Sequence, residues 1–190
     1  MITYLITIFR TKARKYIVAF LLLVCSTSFL SAYRTVTPEY QVKAAFLYNF
    51  TQFVEWPSDA FPEPGPPLVI GILGEDPFGT YLEETIEGEN VNGHPLVIQH
   101  YRIIGGIRTC HILFINQSET NKPAQGVINL KGKFILTVSD GNNFIKQGGM
   151  IRFITRDNKI LIQINPEAAK QADLIISSKL LRLAEVVSLK

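Results

Sequence analysis

Leu68-Val69-Ile70-Gly71-Ile72-Leu73 has no polar side chain, and Cys110-His111-Ile112-Leu113-Phe114-Ile115 has almost none. Neither run alternates, and both are bounded by turn-forming or polar residues. That is the pattern of strands covered on both faces. Lys133-Phe134-Ile135-Leu136-Thr137-Val138 reads as a further strand. Strands buried on two sides need helices or loops packed on each side. The chain is therefore held to an α/β class: a three-layer single domain around a mixed, mostly parallel sheet.

The segments between fit that frame. From Val42 to Trp56, apolar residues at Val42, Ala45, Phe46, Phe50, Phe53 and Val54 have helical spacing, and Pro57 stops it. Pro57, Pro62, Pro64, Gly65, Pro66 and Pro67 then make a stiff loop. Asp76 caps and Pro77 opens a helix expected to reach Glu87. Asn92-Gly93 is a turn before an alternating strand, Pro95 to Tyr101. A weak helix is expected around Ala124 to Ile128. Met150 to Thr155 and Lys159 to Ile164 flank Arg156-Asp157-Asn158 as a hairpin. Asn165-Pro166-Glu167 begins a last helical region, broken at Ile175-Ile176-Ser177, with Leu180, Leu181 and Ala184 on one face of its final helix.

Residues 1–32 read differently. Arg10, Lys12, Arg14 and Lys15 precede an apolar run, Ile17 to Cys25, and small residues lead to Ala32. This is the layout of a cleavable secretory signal, with cleavage expected after Ala32 and an α/β domain over 33–190. A retained anchor is the competing reading. The stretch from Tyr16 to Leu30 is shorter than the roughly 20 residues a spanning helix needs, and Ser26, Thr27 and Ser28 interrupt it. A lipoprotein reading fits poorly with Val24 before the cysteine. Export sets an oxidising compartment. The net charge of +3 comes from this leader: removing its four basic residues from 19 leaves 15 against 16 acidic ones. A near-neutral body has no general attraction for phosphate backbones, so no nucleic-acid partner is expected.

Catalytic chemistry leaves few traces. His94, His100 and His111 form no ligand pair with each other or with cysteine, and no metal is expected. Cys110 and His111 are strand neighbours whose side chains point to opposite faces. Cys110, alone in the body, is unpaired internally and reads as a core residue. No nucleophile elbow or phosphate loop is present, and Gly71-Ile72-Leu73-Gly74 lacks the third glycine of a dinucleotide fingerprint. Ser177-Ser178-Lys179 reads as a helix cap. No enzyme activity and no cofactor are expected. One constellation stands out: Glu75, Asp76, Asn116 and Asp140 each follow a strand end, where open α/β sheets bind ligands. Such residues also simply terminate strands and cap helices. Surplus apolar surface is the other feature. Phe46, Phe50, Phe53 and Trp56 on the first helix, with Ile175 and Leu181 near the C-terminus, form a candidate partner or dimer surface, or else a broad core face.

Several stretches together resemble the YfiR family of exported bacterial repressors. They are Lys43 to Phe50 with Phe53 and Glu55-Trp56-Pro57, Asp76-Pro77-Phe78-Gly79, Val91 to Leu96, and Cys110 to Ile115. Leu136 to Asp140, Gly148 to Phe153, Ile164-Asn165 and Ser177 to Ala184 complete the set, in order over about residues 39 to 185. The resemblance implies a periplasmic, usually dimeric α/β protein without enzymatic activity. Such a protein binds the periplasmic domain of an inner-membrane diguanylate cyclase, holds it inactive and lowers cyclic-di-GMP and biofilm formation. It also implies sequestration by an outer-membrane-associated lipoprotein. Similar domains joined to sensor kinases make a small-ligand sensor acting on a kinase or cyclase the alternative function. The family's redox-responsive members carry two intramolecular disulfides. One pairs a cysteine in the strand that here reads Leu68–Leu73 with the counterpart of Cys110. Gly71 stands in that strand here, and no cysteine lies near Ile145 to Arg152, so disulfide control is not expected.

Overall fold

A computed structural model describes residues 37–61, 65–120, 130 and 133–188. The expected leader over 1–32 and the weak helix around Ala124 to Ile128 lie outside the described residues. No described helix is long and apolar enough to cross a membrane.

Helix α1 runs Pro38–Phe53, starting and ending earlier than its apolar spacing suggested. Extended Thr37 hands over to Pro38, whose fixed φ and missing N–H suit a first turn. At the other end the chain turns extended: Val54–Glu55 (β1) pairs antiparallel with Ile175–Ile176 (β9). The helix therefore yields to strand pairing before Pro57 can stop it.

The main sheet has eight strands: β2 Leu68–Leu73, β3 Asn90–Val91, β4 His94–Tyr101, β5 Ile112–Ile115, β6 Leu136–Ser139, β7 Ile151–Arg156, β8 Lys159–Ile164 and β10 Glu185–Val186. Their order is β10-β8-β7-β6-β5-β2-β4-β3. Pairing is parallel from β7 through β4 and again at β10–β8, and antiparallel at β7–β8 and β3–β4. The mixed, mostly parallel sheet of a three-layer α/β fold is thus present, with its late hairpin. Asp157 and Asn158, both at positive φ, make the tight turn that matches the strand twist.

Alternate residues of the strands point to opposite faces. On one face Ile70, Ile72, Phe114, Val138, Phe153 and Ile162 pack against Ala44, Leu47 and Phe50 of α1 and against Leu82 and Ile86 of α2 (Thr80–Ile86). On the other face Leu113, Ile115 and Ile135 pack with Ile107, Cys110, Leu130 and Phe144.

Three elements depart from expectation. Helix α2 starts at Thr80, not Pro77, because the Asp76 carboxylate accepts the Phe78 N–H at 2.7 Å and closes a local turn, and Gly79 follows at φ +54°. β6 starts at Leu136 because Phe134 sits at φ +55°, outside strand geometry. After α3 (Gln117–Thr120) and α4 (Pro166–Lys170), the last helix, α5, is one turn, Ser178–Leu181, with the Ser177 hydroxyl accepting the Lys179 N–H at 3.2 Å. Ala184 is not on it. The chain leaves instead to add β10 beside β8, whose open edge offers backbone partners to Glu185 and Val186.

Candidate functional site

β2, β5 and β6 are parallel neighbours, so the residues after them come to one end of the sheet. That brings the strand-end candidates to one side of the domain, but their polar groups are occupied within the chain. Asn116 donates its side-chain N–H to Glu75 O at 2.8 Å and accepts the Ser118 N–H at 2.9 Å. Asp76 holds the Phe78 N–H with one oxygen and His100 Nε2 with the other, at 2.8 Å. Asp140 turns away from these three toward α1. Its Oδ2 accepts Lys43 Nζ at 2.7 Å and the Tyr40 hydroxyl at 2.8 Å.

Lys43 is the residue that sequence reasoning missed. Its side chain is 1% exposed, placed between Asp140 and Glu39, whose Oε1 lies 2.6 Å away on the preceding helical turn. The ammonium also sits 4.2 Å from the Tyr40 ring centroid, a cation–π contact. Glu39 in addition accepts the Thr155 hydroxyl of β7 at 2.8 Å. Burial pushes the Glu39 carboxyl up, but the hydrogen bonds from Lys43 and Thr155 outweigh it and hold the group below its ordinary range. Tyr40 is shifted upward by burial and by its bond to the Asp140 carboxylate. Asp140 Oδ1 is buried without a hydrogen-bond partner among the described residues. The only sequence signal for this cluster was a Glu–Lys pair at i, i+4.

Asp140 is therefore a fastening point for α1, and the crevice candidates Glu75, Asp76, Asn116 and Asp140 stand at one end of the sheet with bonds made largely within the chain. Asp140 Oδ2 is engaged by Tyr40 and Lys43 of α1, while its Oδ1 has no partner among the described residues.

The apolar candidates separate by depth. Phe50 is fully buried and stacks on Phe153 with ring centroids 6.0 Å apart. It is core, which corrects its placement on a partner surface: α1 lies across the sheet and turns that face inward. Phe46, Phe53, Trp56 and Leu181 are half-buried against the same core, and Trp56 Nε1 is buried without a hydrogen-bond partner among the described residues. Ile175 stands out at 63% exposed, in the company of Leu183 at 75% and Val186 at 53%.

The amino ends of the parallel strands carry a different cluster. His111 Nδ1 accepts the Val69 N–H at 3.0 Å, which leaves Nε2 to donate to Ala60 O at 3.2 Å. Burial holds this imidazole below its ordinary pKa, so it is neutral. Phe61 stacks between His111 at 4.5 Å and His94 at 4.0 Å, and Trp56 meets His111 edge-on. Cys110 is buried, and desolvation pushes its thiol up to about 12, far from a reactive thiolate. A Cβ built on Gly71 lies 2.7 Å from Cys110 Sγ. The two positions face each other directly, and the missing partner is a side chain and not a change of fold.

The eight-stranded, mostly parallel sheet covered on both faces defines the class as a three-layer α/β domain. The chain belongs to the YfiR/HmsC-like family, whose model matches residues 40–185. That family is a regulatory one, tied to cyclic-di-GMP signalling and to the periplasm. No curated protein matches the chain.

Proposed function

We propose that this chain is a periplasmic adaptor that binds the periplasmic domain of an inner-membrane diguanylate cyclase and holds it inactive, lowering cyclic-di-GMP. The observation that carries the reading is the concentration of exposed apolar side chains at the C-terminal segment. Of six large exposed hydrophobics among the described residues, Ile175, Leu183 and Val186 lie there. Exposed apolar surface marks partner contacts, and membership of the family supports a cyclase as the kind of partner. Inhibition then rests on differential affinity: moving a cyclase from almost wholly active to almost wholly inactive takes about 5.5 kcal/mol. Homodimerisation and sequestration by an outer-membrane-associated lipoprotein belong to the same reading. The small-ligand alternative has less support, because the strand-end carboxylates and amide are already bonded within the chain.

Ile175→Asp and Leu183→Asp test this, since both side chains are exposed and neither charge enters the core. With far-UV circular dichroism unchanged, each is expected to weaken capture of the purified cyclase periplasmic domain at least tenfold. Each is also expected to raise cyclic-di-GMP in cells co-expressing that cyclase. Wild-type capture and repression by both variants would remove the C-terminal segment from the interface. Failure of the wild type to bind any such domain would end the cyclase reading.

A further inference from the structure

β4 is the longest strand of the sheet, and on its outer side only Asn90–Val91 pairs with it among the described residues. The N–H and C=O of one strand residue point to the same side and alternate along the chain. Leu96 donates its N–H outward to Glu89 O at 3.1 Å, whereas Tyr101 turns its carbonyl inward to accept the Gly74 N–H at 3.1 Å. The main-chain groups of Ile98 and His100 therefore face outward, past the end of β3, with no described strand beside them.

Natural edges of this length are blunted by lysine, by proline within the strand or by a bulge. Val97-Ile98-Gln99-His100-Tyr101 has no lysine and no proline, and Pro95 lies in the part already paired with Asn90. Beside this edge, α2 and β4 enclose a groove of about 490 Å³. Ile86, Leu96, Val97 and Ile98 give it apolar walls, and Glu83, Glu84 and Glu87 give it an acidic rim. All three glutamates are exposed and form no ion pair with a described residue. The run from residue 75 to residue 90 has six acidic residues and no basic one.

We infer that this edge is a docking site for an extended, lysine- or arginine-bearing segment of another protein. The segment adds as a strand along Val97–Tyr101 and lays alternate basic side chains on the glutamate rim. Main-chain bonds give the affinity in this mode and side-chain pockets the specificity. A second copy is a poor occupant, because edge-to-edge pairing about a two-fold axis sets one acidic rim against the other. The site is independent of the C-terminal surface, since β10 closes the opposite end of the sheet.

The test uses the whole chain and two labelled hexapeptides, one alternating lysine with valine and one alternating glutamate with valine. Fluorescence anisotropy is expected to show binding of the lysine peptide only. Amide hydrogen exchange at Ile98 and His100 is expected to slow at least tenfold at saturation. Glu83→Lys combined with Glu87→Lys is expected to weaken binding at least tenfold. His100→Pro removes one outward N–H at a position where an edge strand tolerates proline, and is expected to do the same. If His100→Pro disturbs folding, the charge-reversal pair decides. Four results would overturn the inference: no binding, equal binding of both peptides, protection confined to other amides, or self-association of the protein alone that protects Ile98 and His100.

Discussion

The two ends of the parallel strands fasten the rest of the chain by opposite means. At the carboxyl ends, α1 is tied down by charge: Lys43 is buried between Asp140 and Glu39 with Tyr40 across it. At the amino ends, the turn after α1 is tied down by stacked rings: Phe61 lies between two histidines, and both nitrogens of His111 are spent on backbone groups. The contrast teaches where each half is vulnerable. A buried ion network fails when one partner is removed and tolerates joint replacement, whereas a neutral imidazole fails when a proton arrives.

Removing one member of the charged set is the harshest way to break the comparison. Lys43→Met strands Asp140 and Glu39 without their cation, at an expected cost of about 3–5 kcal/mol. Pairing it with Asp140→Leu removes both buried charges and is expected to restore most of that loss. Chemical denaturation of the two variants measures both values. Equal stability of the single and double variants would mean that the network is solvated and not a buried clamp.

Gly71→Cys sharpens the contrast by adding a covalent tie near the neutral end. The new Cβ would sit 2.7 Å from Cys110 Sγ, but also 2.7 Å from Tyr101 Cε2 and 3.0 Å from Leu113 Cδ1. In reductant, crowding is expected to lower stability by about 1–3 kcal/mol. Under oxidising conditions the two sulfurs are expected to bond, with a loss of two hydrogens by intact mass and a higher Tm than the reduced form. An intact mass unchanged by oxidation would show that the close approach is sterically unusable.

How far these features were legible follows the range of the interactions. β2 and β5 could be read because burial on two faces demands an unbroken apolar run, and the hairpin because Asp157 and Asn158 accept positive φ. The start of α2 was misread because Asp76-Pro77 looks alike as a helix cap and as a side-chain turn closed on Phe78. The charged clamp left only the Glu39–Lys43 spacing as a local trace. Lys43 and Asp140 are 97 positions apart, and nothing near either residue names the other. Phe50 could not be told from its exposed neighbours, since helical spacing gives a face but not what covers it.

The mildest probe is pH at the neutral end. Because burial holds the His111 pKa below its ordinary value, the folded and unfolded states are both neutral there above about pH 6.5, and the residue contributes no slope. As pH falls below that, the unfolded chain takes up a proton that the folded one resists, so stability drops until the folded pKa is reached. His94, on the far side of Phe61, is a further electrostatic cause of the lowered His111 pKa. The Tm is therefore expected to fall between pH 7.5 and pH 5.5. His111→Asn, which keeps an acceptor for the Val69 N–H, is expected to start lower but to fall less over the same interval. Parallel slopes for wild type and variant would show that the loss over this interval does not come from His111. Glu39, whose pKa is also lowered, acts in a separate window, since its contribution is lost only as pH falls below its ordinary value near 4.5.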